Sequence, residues 1–252
     1  MPIDIRQFPC LSDNYGFLVR DRESGLAAAV DTPDPDVILA ELETAGWRLA
    51  MILNTHWHRD HAGGNEALKA ATGAEIVGPA EVRRIAPLDR EVSGGEVVVL
   101  GATRFQVLAV GGHTLGHVAY HSAADATAFV GDVLFALGCG KVIEGDAPAM
   151  WASLSTLAAL PDETRVYCAH EYTASNARFA LSVDDDPALA ARAEAVFAAR
   201  ERGEPTVPTT IGAEKATNPF LRAPLLAGRL GLAGAPDHEA FRAVREAKDS
   251  FR

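Results

Sequence analysis

The chain has 252 residues, 48% hydrophobic and 23% charged, the composition of a globular protein and not of a disordered one. A chain of this length buries a sizeable core without disulfides, and its formal net charge of -11 argues against sequence-independent binding of nucleic acid, which needs clustered Lys and Arg. An anionic small substrate remains compatible, because it feels local charge more than the total.

Phe17 to Val19 and Ala27 to Val30 read as paired strands ending at Asp31. Asp34 as N-cap, Pro35 in the first turn and the run Val37, Ile38, Leu39, Leu42 predict an amphipathic helix stopped by Gly46. Leu49 to Asn54 is a short buried strand. Gly63-Gly64-Asn65 opens a second helix ending near Gly73, and Glu75 to Val77 is a further strand. Val97 to Leu100 and Arg104 to Val110 flank Gly101-Ala102 as a hairpin, and Val118 to His121 pairs with Ala128 to Val130. Pro148 to Leu160 is helical, and Arg165 to Ala169 is the last strand the pattern supports. Sheets with helices packed outside them, an α/β layered fold, are the expectation.

Beyond His170 the spacing turns helical. Tyr172, Asn176, Phe179, Ala180 and Val183 follow one helical face, and Asp186-Pro187 starts another with Leu189, Ala193, Val196 and Phe197. A Pro- and Thr-containing segment, Pro205 to Asn218, precedes a last helix from about Asp237. The tail shows no strand pattern, so the expected division is a catalytic domain over 1–171 and a helical domain over 172–252.

No stretch is long and apolar enough to span a bilayer. The first residues carry charges where a secretory signal needs an apolar run. Cys10, Cys139 and Cys168 are odd in number and widely spaced, which suggests a reducing compartment. The expected location is cytoplasmic, without a membrane or nucleic-acid partner. The sequence leaves the oligomeric state open and is compatible with a monomer.

The chemistry concentrates in Thr55-His56-Trp57-His58-Arg59-Asp60-His61, directly after a buried strand. In extended backbone His56 and His58 point the same way, so they can share one ion, and a turn at Arg59 can send Asp60 and His61 toward a second. The histidine spacing differs from the helical His-Glu-x-x-His pattern. A surface turn that happens to be rich in histidine is the ordinary alternative. Against it, His113, Asp132 and His170 each lie just past a strand end, where sheet proteins gather ligands. The set offers nitrogen and oxygen donors and no thiolate, which suits Zn, Fe or Mn.

His-x-His-x-Asp-His with His113, Asp132 and His170 downstream resembles the metallo-β-lactamase superfamily and its αββα sandwich. Asp13-Asn14-Tyr15, Gly112-His113-Thr114-Leu115-Gly116-His117, Gly138-Cys139-Gly140-Lys141, His170-Glu171-Tyr172-Thr173, Asn218-Pro219-Phe220-Leu221-Arg222 and Arg245-Glu246-Ala247-Lys248-Asp249 resemble, more narrowly, the glyoxalase II (hydroxyacylglutathione hydrolase) family. The resemblance implies an αββα sandwich with a helical C-terminal domain and two divalent metal ions, Zn first, with Fe or Mn as alternatives. It assigns His56, His58 and His113 to one metal, Asp60, His61 and His170 to the other, and Asp132 to both. It places Lys141, Tyr172, Arg245 and Lys248 on the glutathione part of the substrate. The implied reaction is hydrolysis of S-D-lactoylglutathione to D-lactate and glutathione by a metal-bridging hydroxide. A thiolate leaves with little protonation, its parent thiol having a pKa of roughly 8.5 by analogy with cysteine, so no general acid is required.

One departure is Ile143, where many members carry a tyrosine; another is Ala169 in place of glycine before His170. His117 reads as a packing or supporting residue, His121 and His238 as structural or solvated, and Cys139 as small-residue packing. Asp31 either orients a ligand or forms a turn. Alternatives are another hydrolase on the same scaffold, such as a lactonase or phosphodiesterase, and a single-iron persulfide dioxygenase.

Overall fold

Residues 3–251 are described by a computed structural model. They fall into two compact units: residues up to 109 with 116–131, and residues 110–115 with 132 onward.

In the first unit, apolar runs form the inner strands and mixed-polarity segments form the edges. One sheet runs in the order β1 (Asp4–Cys10), β2 (Asn14–Arg20), β3 (Leu26–Val30), β4 (Arg48–Leu53), β5 (Glu75–Gly78), β6 (Arg90–Glu91). Its first three strands are antiparallel, and β3 to β6 are parallel. Parallel neighbours need crossovers, which α1 (Pro35–Ala45) supplies between β3 and β4; the one-turn α2 (Arg59–Ala62) and α3 (Asn65–Thr72) lie between β4 and β5. The α1 start follows the predicted chemistry. Asp34 accepts hydrogen bonds from the amides of Asp36 at 3.1 Å and Val37 at 3.2 Å, and Gly46 closes the helix at φ 64°. Leu18, Ala29, Ile38, Ile52, Leu68 and Ile76 form the core between helices and sheet. Each large member contributes roughly 1.5–3 kcal/mol by burial.

The same unit contains an antiparallel meander of β7 (Val97–Leu100), β8 (Thr103–Ala109), β9 (Val118–Ser122) and β10 (Thr127–Gly131). In β8, Phe105 and Val107 are buried while Arg104 and Gln106 are exposed, the period of two that made it legible. The strand β1 shows no strand pattern in the sequence. It is an edge strand whose Asp4 and Arg6 form ion pairs with Arg20 and Glu41, and such polar edges blunt the strand pattern.

In the second unit, β11 (Leu134–Phe135) and β12 (Gly138–Cys139) make a tight hairpin. Then come α4 (Ala147–Ala158), β13 (Arg165–Cys168), α5 (Thr173–Val183) and α6 (Pro187–Glu201). The expectation of a strand-free tail is corrected by β14 (Thr209–Thr210), which pairs antiparallel with β13. A two-residue strand has no periodicity to read. The segment Pro205 to Asn218 also contains a helix, α7 (Ile211–Thr217), capped by the Thr210 hydroxyl. Its buried face includes Glu214, which breaks the apolar pattern. The helices α8 (Ala223–Leu226) and α9 (Asp237–Ser250) end the chain. No helix among the described residues is long and apolar enough to cross a membrane.

Candidate metal centre

His56, His58, Asp60 and His61 follow the C-terminal end of β4. The main chain of His61 is pinned there: its carbonyl accepts from Asn54 Nδ2 at 3.0 Å and from the Thr32 amide at 2.7 Å. Asn65 Nδ2 in turn donates to Asn54 Oδ1 at 2.6 Å.

Asp31 organises the imidazoles. Its Oδ1 accepts from the Thr55 amide at 2.8 Å, and its Oδ2 accepts from the Thr55 hydroxyl and from His61 Nδ1, each at 2.8 Å. A carboxylate only accepts, so the neutral His61 ring carries its proton on Nδ1 and its lone pair on Nε2. The Thr55 hydroxyl, its hydrogen directed at Asp31, accepts from His56 Nδ1 at 3.0 Å. That leaves His56 Nε2 as a lone pair as well. Buried partners fixing imidazole tautomers are what metal ligands require. His56 Nε2 stands 3.0 Å from His58 Nδ1, and His61 Nε2 stands 3.4 Å from Asp60 Oδ2. Asp60 Oδ2 is held by Asn14 Nδ2 at 3.1 Å, a contact that no sequence signal identified beyond the Asp-Asn-Tyr motif. Asp31 adopts φ 59°, a left-handed conformation that aspartate tolerates better than most residues. Of the two readings the sequence left open, the structure gives Asp31 the orienting one.

The second unit presents a matching set. His113 Nδ1 donates to the Lys141 carbonyl at 2.8 Å, so its Nε2 lone pair faces Asp132 Oδ2, 3.4 Å away. His170 Nε2 lies 3.4 Å from the other oxygen, Asp132 Oδ1. All three residues are buried. Phe135 presents its ring to that of His170 edge-on, and Tyr172 stacks on His170 at 4.7 Å with a 2° tilt.

The donor set fits a divalent cation. A charge-assisted N–H···O bond is roughly 2.7–2.9 Å long. Contacts of 3.4 Å between lone pairs instead approach the edge of a tetrahedron with bonds of about 2.0–2.1 Å. Thiolates do not compete: burial, opposed by Arg245, pushes the Cys139 thiol up to about 11, and burial pushes Cys168 up to about 12. The described residues thus include His and Asp groups able to hold divalent metal.

Lys141, Tyr172, Arg245 and Lys248 line one depression of about 270 Å³ together with Phe135 and Ser175, which the sequence did not flag. Arg245 Nη1 donates to the Cys139 carbonyl at 3.1 Å, its guanidinium lies over Phe220, and it pairs with Asp249 at 2.7 Å. Lys248 Nζ reaches Ser175 Oγ at 3.3 Å, and burial with the adjacent Arg245 holds its pKa below the usual lysine value. Lys141 and Ile143 are exposed.

The remaining histidines take supporting places. His117 is buried and stacks on His56 at 4.6 Å. His121 is buried, with its pKa lowered by desolvation, and His238 sits 3.6 Å from Glu239.

Residues 21–170 match the metallo-beta-lactamase superfamily, and residues 171–251 match the hydroxyacylglutathione hydrolase C-terminus. The chain is 58% identical to a hydroxyacylglutathione hydrolase of Maricaulis maris, over 98% of both chains. It is 52% identical to one of Erythrobacter litoralis, over 99% of this chain and all of that one. Among solved structures, it is similar to ETHE1 from Myxococcus xanthus (TM-score 0.72, 26% identity, 99% of this chain and 92% of that one). It also resembles TTHA1623 in a di-iron-bound form (TM-score 0.62, 28% identity, 86% of this chain and all of that one). With both of its parts matched and its full length shared, the chain belongs to the hydroxyacylglutathione hydrolase family of the metallo-beta-lactamase superfamily.

Proposed function

We propose that this enzyme hydrolyses glutathione thioesters, S-D-lactoylglutathione to D-lactate and glutathione, at a centre of two divalent ions. The observation that carries the reading is full-length similarity to hydroxyacylglutathione hydrolases in a chain whose histidine lone pairs are oriented by Asp31, Thr55 and the Lys141 carbonyl. His56, His58 and His113 would hold one ion, Asp60, His61 and His170 the other, and Asp132 would be shared by both. Zn is the first expectation, with Fe or Mn as alternatives. The di-iron form of TTHA1623 supports a two-ion centre.

Bound there, the metal supplies water activation near neutral pH and polarises the thioester carbonyl. The protein's own residues bind and orient. Arg245 and Lys248 offer cations to the two carboxylates of glutathione, Lys141 adds a third, and the Tyr172 ring shields one face of His170. The departing thiolate needs no acid, its parent thiol having a pKa of roughly 8.5 by analogy with cysteine. The chemistry belongs to residues 1–171, and glutathione recognition, Lys141 apart, to residues 172–252. The three buried free cysteines accord with a cytoplasmic location.

The test is a thioesterase assay on S-D-lactoylglutathione with metal analysis of the same sample. Turnover with metal content approaching two equivalents is expected. Metal-replete protein without turnover would overturn the reaction, and full activity at one equivalent would overturn the two-ion centre.

A further inference from the structure

The hairpin β11–β12 carries no donor atom of the proposed centre, yet the donors of the second unit all rest on it or its base. Gly140 approaches the Asp132 carbonyl so closely that a Cβ would sit 1.8 Å from the oxygen. Lys141 gives its carbonyl to His113 Nδ1 at 2.8 Å. Phe135 sets its ring against both His170 and Tyr172, with centroids 5.9 and 5.4 Å away. The Cys139 carbonyl seats Arg245.

The turn of this hairpin is not one its sequence favours. Leu137 sits at φ 56°, a left-handed conformation that penalises a residue with a Cβ. Its side chain is anchored among Ala177, Ala180, Leu189 and Ala193, and its amide donates to Glu214 Oε2 at 2.9 Å. Glu214 is fully buried. Its Oε2 also accepts from Asn218 Nδ2 at 2.9 Å, while Oε1 accepts from the Thr209 hydroxyl at 2.5 Å and from Arg192. With four donors around it, the buried carboxylate is fully satisfied. Asn218, also fully buried, turns the same amide on the carbonyls of Phe135 at 3.2 Å and Gly138 at 2.9 Å, a pair facing each other across the hairpin. On the other side Asn176 Nδ2 holds the Ala136 carbonyl at 3.1 Å.

We propose that Glu214 and Asn218 are positioning residues for the metal centre. They hold the strained β11–β12 hairpin so that it sets His113, Asp132 and His170. Neither residue touches a donor atom of the centre; both act through the hairpin. The inference rests on the two-ion reading above.

The experiment compares Asn218→Ala, which removes the hairpin contacts, with Thr217→Val as control. The Thr217 hydroxyl serves only the outer side of the same network, accepting from Arg192 at 2.6 Å and donating to the Ala213 carbonyl at 2.7 Å. Zinc affinity by chelator competition, thermal midpoint, and kcat and KM on S-D-lactoylglutathione are read for each. Asn218→Ala is expected to weaken zinc binding roughly tenfold or more, the usual scale for losing a group that orients a ligand, with a fall in kcat. Thr217→Val should lower the midpoint and leave zinc affinity and kcat at wild type. Should Asn218→Ala not fold, Asn176→Ala replaces it with the same expected zinc loss. Zinc affinity and kcat that track the thermal midpoint equally in both variants would overturn the positioning role. A wild-type enzyme with neither zinc binding nor turnover would overturn the functional reading instead.

Discussion

Asp31→Asn isolates the orientation of the first unit's imidazoles without removing a single proposed ligand. The substitution keeps the shape, and asparagine tolerates the left-handed backbone at this position. If the amide oxygen stays on the Thr55 amide, the new –NH2 faces the Thr55 hydroxyl and His61 Nδ1, both donors held at 2.8 Å in the wild type. His61 must then move its proton to Nε2 and withdraw the lone pair from the ion. If the amide flips, the Thr55 backbone N–H loses its acceptor instead, which costs about 1–3 kcal/mol of stability. The hydrogen bond to a charged group lost in the first arrangement is worth about 1.5–3 kcal/mol. At 1.4 kcal/mol per decade, zinc binding should weaken about tenfold to a hundredfold. Chelator competition measures the affinity, and a thermal melt of the metal-free protein measures the stability. An Asp31→Asn variant with wild-type values in both would refute the reasoning, because one arrangement takes the His61 lone pair from the ion and the other leaves the buried Thr55 N–H without an acceptor.

Three further outcomes follow from the geometry. Arg245→Ala with Lys248→Ala should keep the metal and lower kcat/KM on the glutathione thioester by about tenfold or more, since charge-assisted contacts are worth roughly 1.5–3 kcal/mol each before screening. A small neutral thioester should lose almost nothing, and equal loss on both substrates would reject glutathione recognition by these cations. Ile143 is 55% exposed, so Ile143→Tyr disturbs no core; one hydrogen bond of about 0.5–1.5 kcal/mol should lower KM by up to about tenfold, and an unchanged KM rejects it. Burial alone would raise the Asp21 carboxyl, but hydrogen bonds from Ser24 and Thr103 outweigh it and hold the pKa at about 2 against 3.8. A depressed carboxylate contributes stability that is complete above its unfolded pKa and is lost as the pH falls toward 2. Asp21→Asn should therefore cost about 2 kcal/mol at pH 7, and urea unfolding should show the gap narrowing in acid; a gap independent of pH would contradict it.

Local chemistry was legible in the sequence wherever neighbours in the chain act on one another. The α1 cap needs only Asp34 to reach the amides of Asp36 and Val37, and β8 needs only alternation. The candidate ligands stand out in the sequence because imidazoles and carboxylates recur past strand ends, and residue type survives in a sequence. What the tertiary structure decided is which atom of each residue is available. Asp31 accepts a hydrogen bond from His61 Nδ1 across 30 positions, and His113 is oriented by a backbone carbonyl, that of Lys141. A carbonyl belongs to every residue and so leaves no mark in the sequence. The same holds for Glu214: it lies in the segment Pro205 to Asn218, which shows no pattern in the sequence, and only folding brings Arg192, Thr209, Asn218 and the Leu137 amide around it. A buried charge is tolerable only when partners converge on it from separate segments, and that convergence exists only in the folded chain.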